Sequence, residues 1–130
     1  MILFINTADR ERANLALIGE KTFKIGIKLS RGLSEKLPLL VEKLLKRAKI
    51  SLKNVKKIVV VQGPGSFAGT RTGVAYANAL GFSLNVPVVG IKSHEIEEKL
   101  NEIAKLKGSK AIVQVVYSAP PNITFPKSKR

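Results

Sequence analysis

Cysteine and tryptophan are absent from this chain of 130 residues, and histidine occurs once, at His94. Without cysteine there is no disulfide framework, no thiolate metal site and no thiol nucleophile, and nothing points to an oxidising compartment. A histidine metal cluster or a Ser-His-Asp triad would hang on His94 alone, whose ordinary reading is a surface residue near a helix start. Long apolar runs are missing too. The opening Met1 to Ile5 is interrupted at once by Asn6, Thr7, Asp9 and Arg10, too soon for a signal sequence or a membrane span, so the expected location is cytoplasmic with no membrane contact. Acidic residues are few, 9 against 23 Lys and Arg, for a net charge of +14. Such an excess suits a polyanionic partner such as RNA, or an acidic protein, although lysine-rich helices are also often plain solvated faces. Aromatics make up only 5% of a chain that is 45% hydrophobic, so the core is built from Leu, Ile, Val and Ala in one compact domain.

What is present reads as an α/β alternation. Ile2 to Thr7 is a short buried strand. Ala13 to Ile18 and Thr22 to Leu29 flank Gly19-Glu20-Lys21 as a hairpin, with Phe23, Ile25, Ile27 and Leu29 on its dry face. From Ser34 the period changes, and Leu37, Leu40, Val41, Leu44, Leu45 and Ala48 fall on one stripe of a helix. Ser34 is the expected cap, Pro38 is placed in the first turn or so, and Lys46, Arg47 and Lys49 suit the negative end of the helix dipole. Ile58 to Val61 is a β-branched run of the kind buried on both faces of a parallel sheet. A second helix is expected from the turn at Gly63 to Ser66 as far as Leu84, and Pro87 to Ile91 is another strand. Ser93 then caps a third helix running to about Leu106 and ended by Gly108. Ala111 to Val116 is a last strand. The domain is expected to span residues 1–116, with 117–130 an extended basic tail containing Pro120, Pro121 and Pro126. The sum is a mixed sheet with helices packed against it.

The informative stretch lies between a strand and a helix: Gln62-Gly63-Pro64-Gly65-Ser66-Phe67-Ala68-Gly69-Thr70-Arg71-Thr72-Gly73. A glycine-rich turn at a helix start presents free N–H groups that can hold a phosphate. It is not a Walker A loop, and the glycines at 63, 65 and 69 do not have the Gly-x-Gly-x-x-Gly spacing. The alternative is that the glycines serve a tight turn and close helix packing, with Arg71 an ordinary surface cation. Gly69, Gly73, Ala77 and Gly81 recur every four residues, a ridge poor in side chains. Each such glycine costs about 1 kcal/mol in an exposed helix interior, so a close-packed neighbour is expected, either the first helix of this chain or a helix of another protein.

The string from Gly63 to Gly73 resembles the signature GPGSFTGxRxG of the TsaB (YeaZ) family, with Ala68 in place of threonine. The surroundings agree in register. Ile2-Leu3-Phe4-Ile5-Asn6-Thr7 resembles the family's ILxIDT strand, Leu33-Ser34-Glu35-Lys36-Leu37-Pro38 its HSExLLP helix start, and Val86 to Ser93 its IPVVGVSS strand. Asn6 stands where the family has aspartate, the acid that lies near phosphate and metal in related actin-like enzymes, and Leu33 replaces a histidine. The family continues into a second domain for which this chain has no room. The tail from Val116 to Thr124 resembles the extreme carboxyl terminus of some relatives, which reads as an internal deletion.

The resemblance implies a single RNase-H-like, actin-like (ASKHA) domain without ATPase chemistry. It would act as a non-catalytic scaffold that pairs with TsaD, the enzyme that transfers threonylcarbamoyl to the adenosine beside the tRNA anticodon. TsaE, an ATPase, joins the assembly, so ATP belongs to the complex and this chain alone holds no cofactor or metal. Carried over as the partner interface are Ser34, Glu35 and Pro38 of the first helix with Gly69, Gly73, Tyr76, Ala77, Leu80 and Gly81 of the second. The turn of Gly63, Pro64, Gly65, Ser66, Phe67, Gly69, Arg71 and Gly73 is the expected nucleotide-proximal loop. Left alone, an uncovered partner patch would self-associate as a homodimer. Two other readings stand beside this one. A weak actin-like ATPase or a peptidase is disfavoured, because the opening strand has no acidic pair and Ser66 has no base candidate except His94. A stand-alone basic RNA-binding module would bind tRNA in a salt-dependent way without a partner.

Overall fold

The computed structural model describes residues 1–28, 32–100 and 102. In chain order the elements are strands β1 (Ile2–Asn6), β2 (Arg12–Ile18) and β3 (Thr22–Lys28), helix α1 (Leu33–Ala48), strand β4 (Lys57–Gly63), helix α2 (Phe67–Leu84), strand β5 (Val88–Lys92) and a short helix α3 (Ile96–Leu100). Single 3-10 turns lie at Leu52–Asn54 and Ser93–Glu95. The sheet order is β3-β2-β1-β4-β5. β1, β2 and β3 form an antiparallel meander, and β1, β4 and β5 run parallel. The expected mixed sheet with flanking helices is what forms.

Alternation decides which face each side chain serves. Leu3 and Ile5 of β1, Ala13, Leu15 and Leu17 of β2, and Ile58 and Val60 of β4 point one way. They pack under Leu37, Leu40, Val41 and Leu44 of α1 and Val74 and Ala77 of α2. Phe4, Ala16, Val59, Val61 and Ile91 form a second cluster on the opposite face. Both faces of the central strands are therefore apolar, which is why β1 and β4 read as unbroken hydrophobic runs. β3, at the edge, keeps the clean alternation, with Phe23, Ile25 and Ile27 against the core and Thr22, Lys24 and Lys28 exposed. α1 contacts β2 and β3, α2 contacts β4, β1 and β5, and the two helices pack on each other.

Two boundaries differ from expectation. α1 is entered from Gly32 in the left-handed conformation, with its carbonyl accepting from the Glu35 and Lys36 N–H groups. Ser34 is therefore the second residue of the helix and makes no cap, and Pro38 is the sixth, beyond the first turn. Its missing N–H leaves the Ser34 carbonyl without the usual partner, at an exposed point where water can serve. After β5 the chain makes a 3-10 turn flanked by Lys92, so Ser93 does not cap; its hydroxyl instead donates to the Pro64 carbonyl at 2.5 Å. The expected extension of the third helix to Leu106, the strand Ala111 to Val116, residue Leu29 and the 117–130 tail lie outside the described residues.

Candidate functional site

β1 and β4 end side by side, and α2 starts directly above their carboxyl ends. The geometry there is set by contacts between the end of β1 and the glycine-rich turn. The Ser66 N–H donates to the Ala8 carbonyl at 2.7 Å, and the Thr7 hydroxyl donates to the Gly69 carbonyl at 2.6 Å. Ser66 is the cap of α2: its Oγ accepts from the Gly69 N–H at 3.2 Å, satisfying one of the free donors of the first turn. Gly63 has φ 103, a conformation that favours glycine, and the Gly63-Pro64 bond is cis.

The other glycines of the signature are explained by closeness rather than by dihedral freedom. A Cβ on Gly65 would run into the Ala8 carbonyl, one on Gly69 into the Thr7 carbonyl, and one on Gly73 into the Thr7 side chain. Further along, a Cβ on Gly81 would run into Val88 and meet the Val86 carbonyl oxygen at 3.3 Å, and Ala77 is fully buried. The side-chain-poor ridge of α2 is thus packed on its own chain, against the residues that follow β1 and those that lead into β5. Gly69, Gly73 and Gly81, expected with Ala77 at a partner interface, are already covered by Thr7 and Val88 of this chain, and Ala77 lies in the core. Of the same set, Tyr76 and Leu80 are half-buried against the core, and burial raises the Tyr76 pKa, keeping the phenol neutral. Ser34, Glu35 and Pro38 are exposed on α1.

A different stripe of α2 faces outward. Ala68, Ala75, Ala79 and Phe82 are exposed and Thr72 is half-buried, at spacings of four, three, four and three. Phe82 is 90% exposed, and Leu39 on α1 is 58% exposed beside Pro38. Arg71 is the sole charge in the whole of α2, and its guanidinium lies over the Phe67 ring at 5.3 Å, a cation–π contact at the start of the helix. Sequence reasoning missed this stripe by one step of phase. The signal that could have found it is the near-absence of charge from both faces of the helix, since an ordinary surface helix needs only one apolar face.

Catalytic equipment is sparse around the turn. Asn6 Oδ1 accepts from the Ala8 N–H at 3.1 Å, so the residue in the aspartate position holds the turn that follows β1. Asp9 accepts from the Glu11 and Arg12 N–H groups in the same way. Ser66 Oγ is engaged in the cap, and His94 is exposed on the 3-10 turn. Glu95 accepts from the Lys92 N–H at 2.9 Å, and that bond holds its carboxyl below the usual range. Thr70 Oγ1 is buried without a hydrogen-bond partner among the described residues. Among them, too, no three His, Cys, Asp or Glu side chains could hold a metal ion, and no helix is long and apolar enough to cross a membrane.

A meander joined through a helix to parallel strands, with a helix start over the strand ends, defines an actin-like, RNase-H-like α/β domain. The family model described as "TsaD: tRNA N6-adenosine threonylcarbamoyltransferase" matches residues 27–115, and the chain belongs to that family. Within it, the likeness is to the YeaZ (TsaB) type. The structure of YeaZ from Pseudomonas aeruginosa superposes with a TM-score of 0.69 at 26% identity, over 79% of this chain and 49% of that one. The tRNA threonylcarbamoyladenosine biosynthesis protein TsaB of Buchnera aphidicola subsp. Schizaphis graminum is 37% identical over 44% of this chain and 27% of its own length. The tRNA N6-adenosine threonylcarbamoyltransferase of Clostridioides difficile is 35% identical over 51% of this chain and 20% of its own length. The match thus spans about half of the solved relative and about a quarter of these curated ones.

Proposed function

We propose that this chain works in the biosynthesis of threonylcarbamoyladenosine in tRNA, as a non-catalytic scaffold that pairs with a TsaD-type transferase in the cytoplasm. The observation that carries the reading is the outward stripe of α2, uncharged and ending in a Phe82 that is 90% exposed. A helix that packs one face on its own sheet and still presents a second uncharged face is built to meet another protein. Small residues at Ala68, Ala75 and Ala79 let a partner helix approach closely, and Phe82 supplies an apolar anchor at the end of the stripe. The turn from Gly63 to Ser66, with its carbonyl and N–H groups tied to Ala8 and Ser93, holds α2 in place rather than performing chemistry. In this reading ATP is used by the assembled complex, TsaE joins it, and the uncovered stripe self-associates when the transferase is absent.

Co-purification with the transferase of the same organism tests the proposal. Wild type is expected to form a complex at micromolar concentration. Ala79→Glu and Phe82→Glu are expected to lose it while keeping the circular dichroism and melting temperature of the wild type, since both side chains point outward. No wild-type complex, or a complex that survives both changes, would overturn the interface.

A further inference from the structure

The end of the molecule where β1, β4 and β5 begin lies opposite the glycine-rich turn, and positive charge is gathered there. The turn between β2 and β3 brings Lys21, the carboxyl end of α1 brings Lys46, Arg47 and Lys49, and the segment around the 3-10 turn brings Lys53 and Lys56. All six are exposed. The acids among them are Glu20 and Glu42, and Glu42 is paired with Lys46 at 3.4 Å. Helix-dipole compensation accounts for the three cations of α1, but not for Lys21, Lys53 and Lys56, which come from other elements. At the opposite end, by contrast, Arg10, Lys28 and Lys92 share the rim with Asp9, Glu11 and Glu95.

The basic end also has a shape. A recess there has Lys21, Arg47 and Lys49 on its wall beside the single acid Glu20, and Met1, Phe23 and Ile50 as apolar lining. The Arg47 guanidinium is steadied by donating to the Lys24 carbonyl at 3.0 Å, so its position at the recess is fixed by β3. Cations around an apolar floor match a strand that offers phosphates outside and an unstacked base inside. We infer that this end binds RNA, at a single-stranded or looped stretch with at least one unpaired base. The inference rests on the tRNA-modification reading only for the choice of RNA as the polyanion; the charge and the recess stand without it.

The test uses the whole chain without its partner, with fluorescently labelled total tRNA as the probe and anisotropy as the readout. One variant carries Lys21→Glu, Lys53→Glu and Lys56→Glu; the control carries Arg10→Glu, Lys28→Glu and Lys92→Glu, an identical change in net charge at the other end. The first is expected to weaken binding about tenfold or more and to flatten the salt dependence by roughly two to three counterions, the control to weaken it less than about twofold. The corresponding Lys→Gln triple, with its melting temperature, keeps the result readable if the reversed charges disturb folding. Equal weakening by both triples would reduce the effect to net charge and overturn the inference. So would a wild type that binds no tRNA, and if the Lys21, Lys53, Lys56 variant then fails to assemble with the transferase, this end belongs to an acidic protein surface instead. A transferase complex that forms normally alongside absent tRNA binding would sink this inference and leave the scaffold reading standing.

Discussion

Thr7 ties the end of β1 to the first turns of α2. It is fully buried, donates to the Gly69 carbonyl at 2.6 Å, and fills the space that a side chain at Gly73 would need. Gly73→Ala is therefore expected to destabilise the fold by about 1–3 kcal/mol, the range for overpacking a tight contact, although alanine has the better helix propensity. The same change in a Thr7→Ala background should be milder, because the obstructing atoms are gone, and a double-mutant cycle by urea unfolding would read the coupling. An equal penalty in both backgrounds would show that closeness to Thr7 is not what excludes a side chain. The glycines were legible from the sequence as marks of close packing. Their neighbour was not, because a period of four names a helical face and leaves open what lies against it.

Among the elements, α1 and α2 illustrate how ends are decided. Both helices finish on a non-glycine residue in the left-handed region, Lys49 at φ 57 and Asn85 at φ 56. Asparagine tolerates that conformation, whereas lysine does so at a penalty of about 1 kcal/mol. Lys49→Gly is expected to raise the melting temperature, measured by calorimetry, while weakening tRNA binding if the basic end is the RNA contact. An unchanged or lower melting temperature would mean that the lysine side chain makes up for its backbone. The start of α1 shows the opposite case, in which a serine well suited to capping, Ser34, is already the second residue of the helix and the helix is entered from Gly32. Capping residues mark a neighbourhood rather than a boundary, since the hydrophobic stripe from Leu33 to Leu44 fixes how far the helix must reach to cover β2 and β3.

Across the whole molecule, charge is the dominant feature. A net charge of +14 on 130 residues produces self-repulsion, which added salt should relieve. The melting temperature is expected to rise between 20 and 200 mM salt by a few degrees (~2–5 °C, the shift that about 1 kcal/mol gives in a domain of this size). A flat or falling response would show that the cations are already compensated within the fold.

The sequence by itself determined the succession of strands and helices, the mixed sheet and the family, because hydrophobic period, turn residues and the string from Gly63 to Gly73 are local properties of the chain. Tertiary structure alone decided which face of α2 looks inward. Gly65, Gly69 and Gly73 could have met any backbone, and only the placement of β1 beside β4 brings Ala8 against the first and Thr7 against the other two and turns Ala75, Ala79 and Phe82 outward. It likewise gathered Lys21, Arg47 and Lys53 at one end, since residues far apart in sequence share a surface only once the sheet has set where each connection falls.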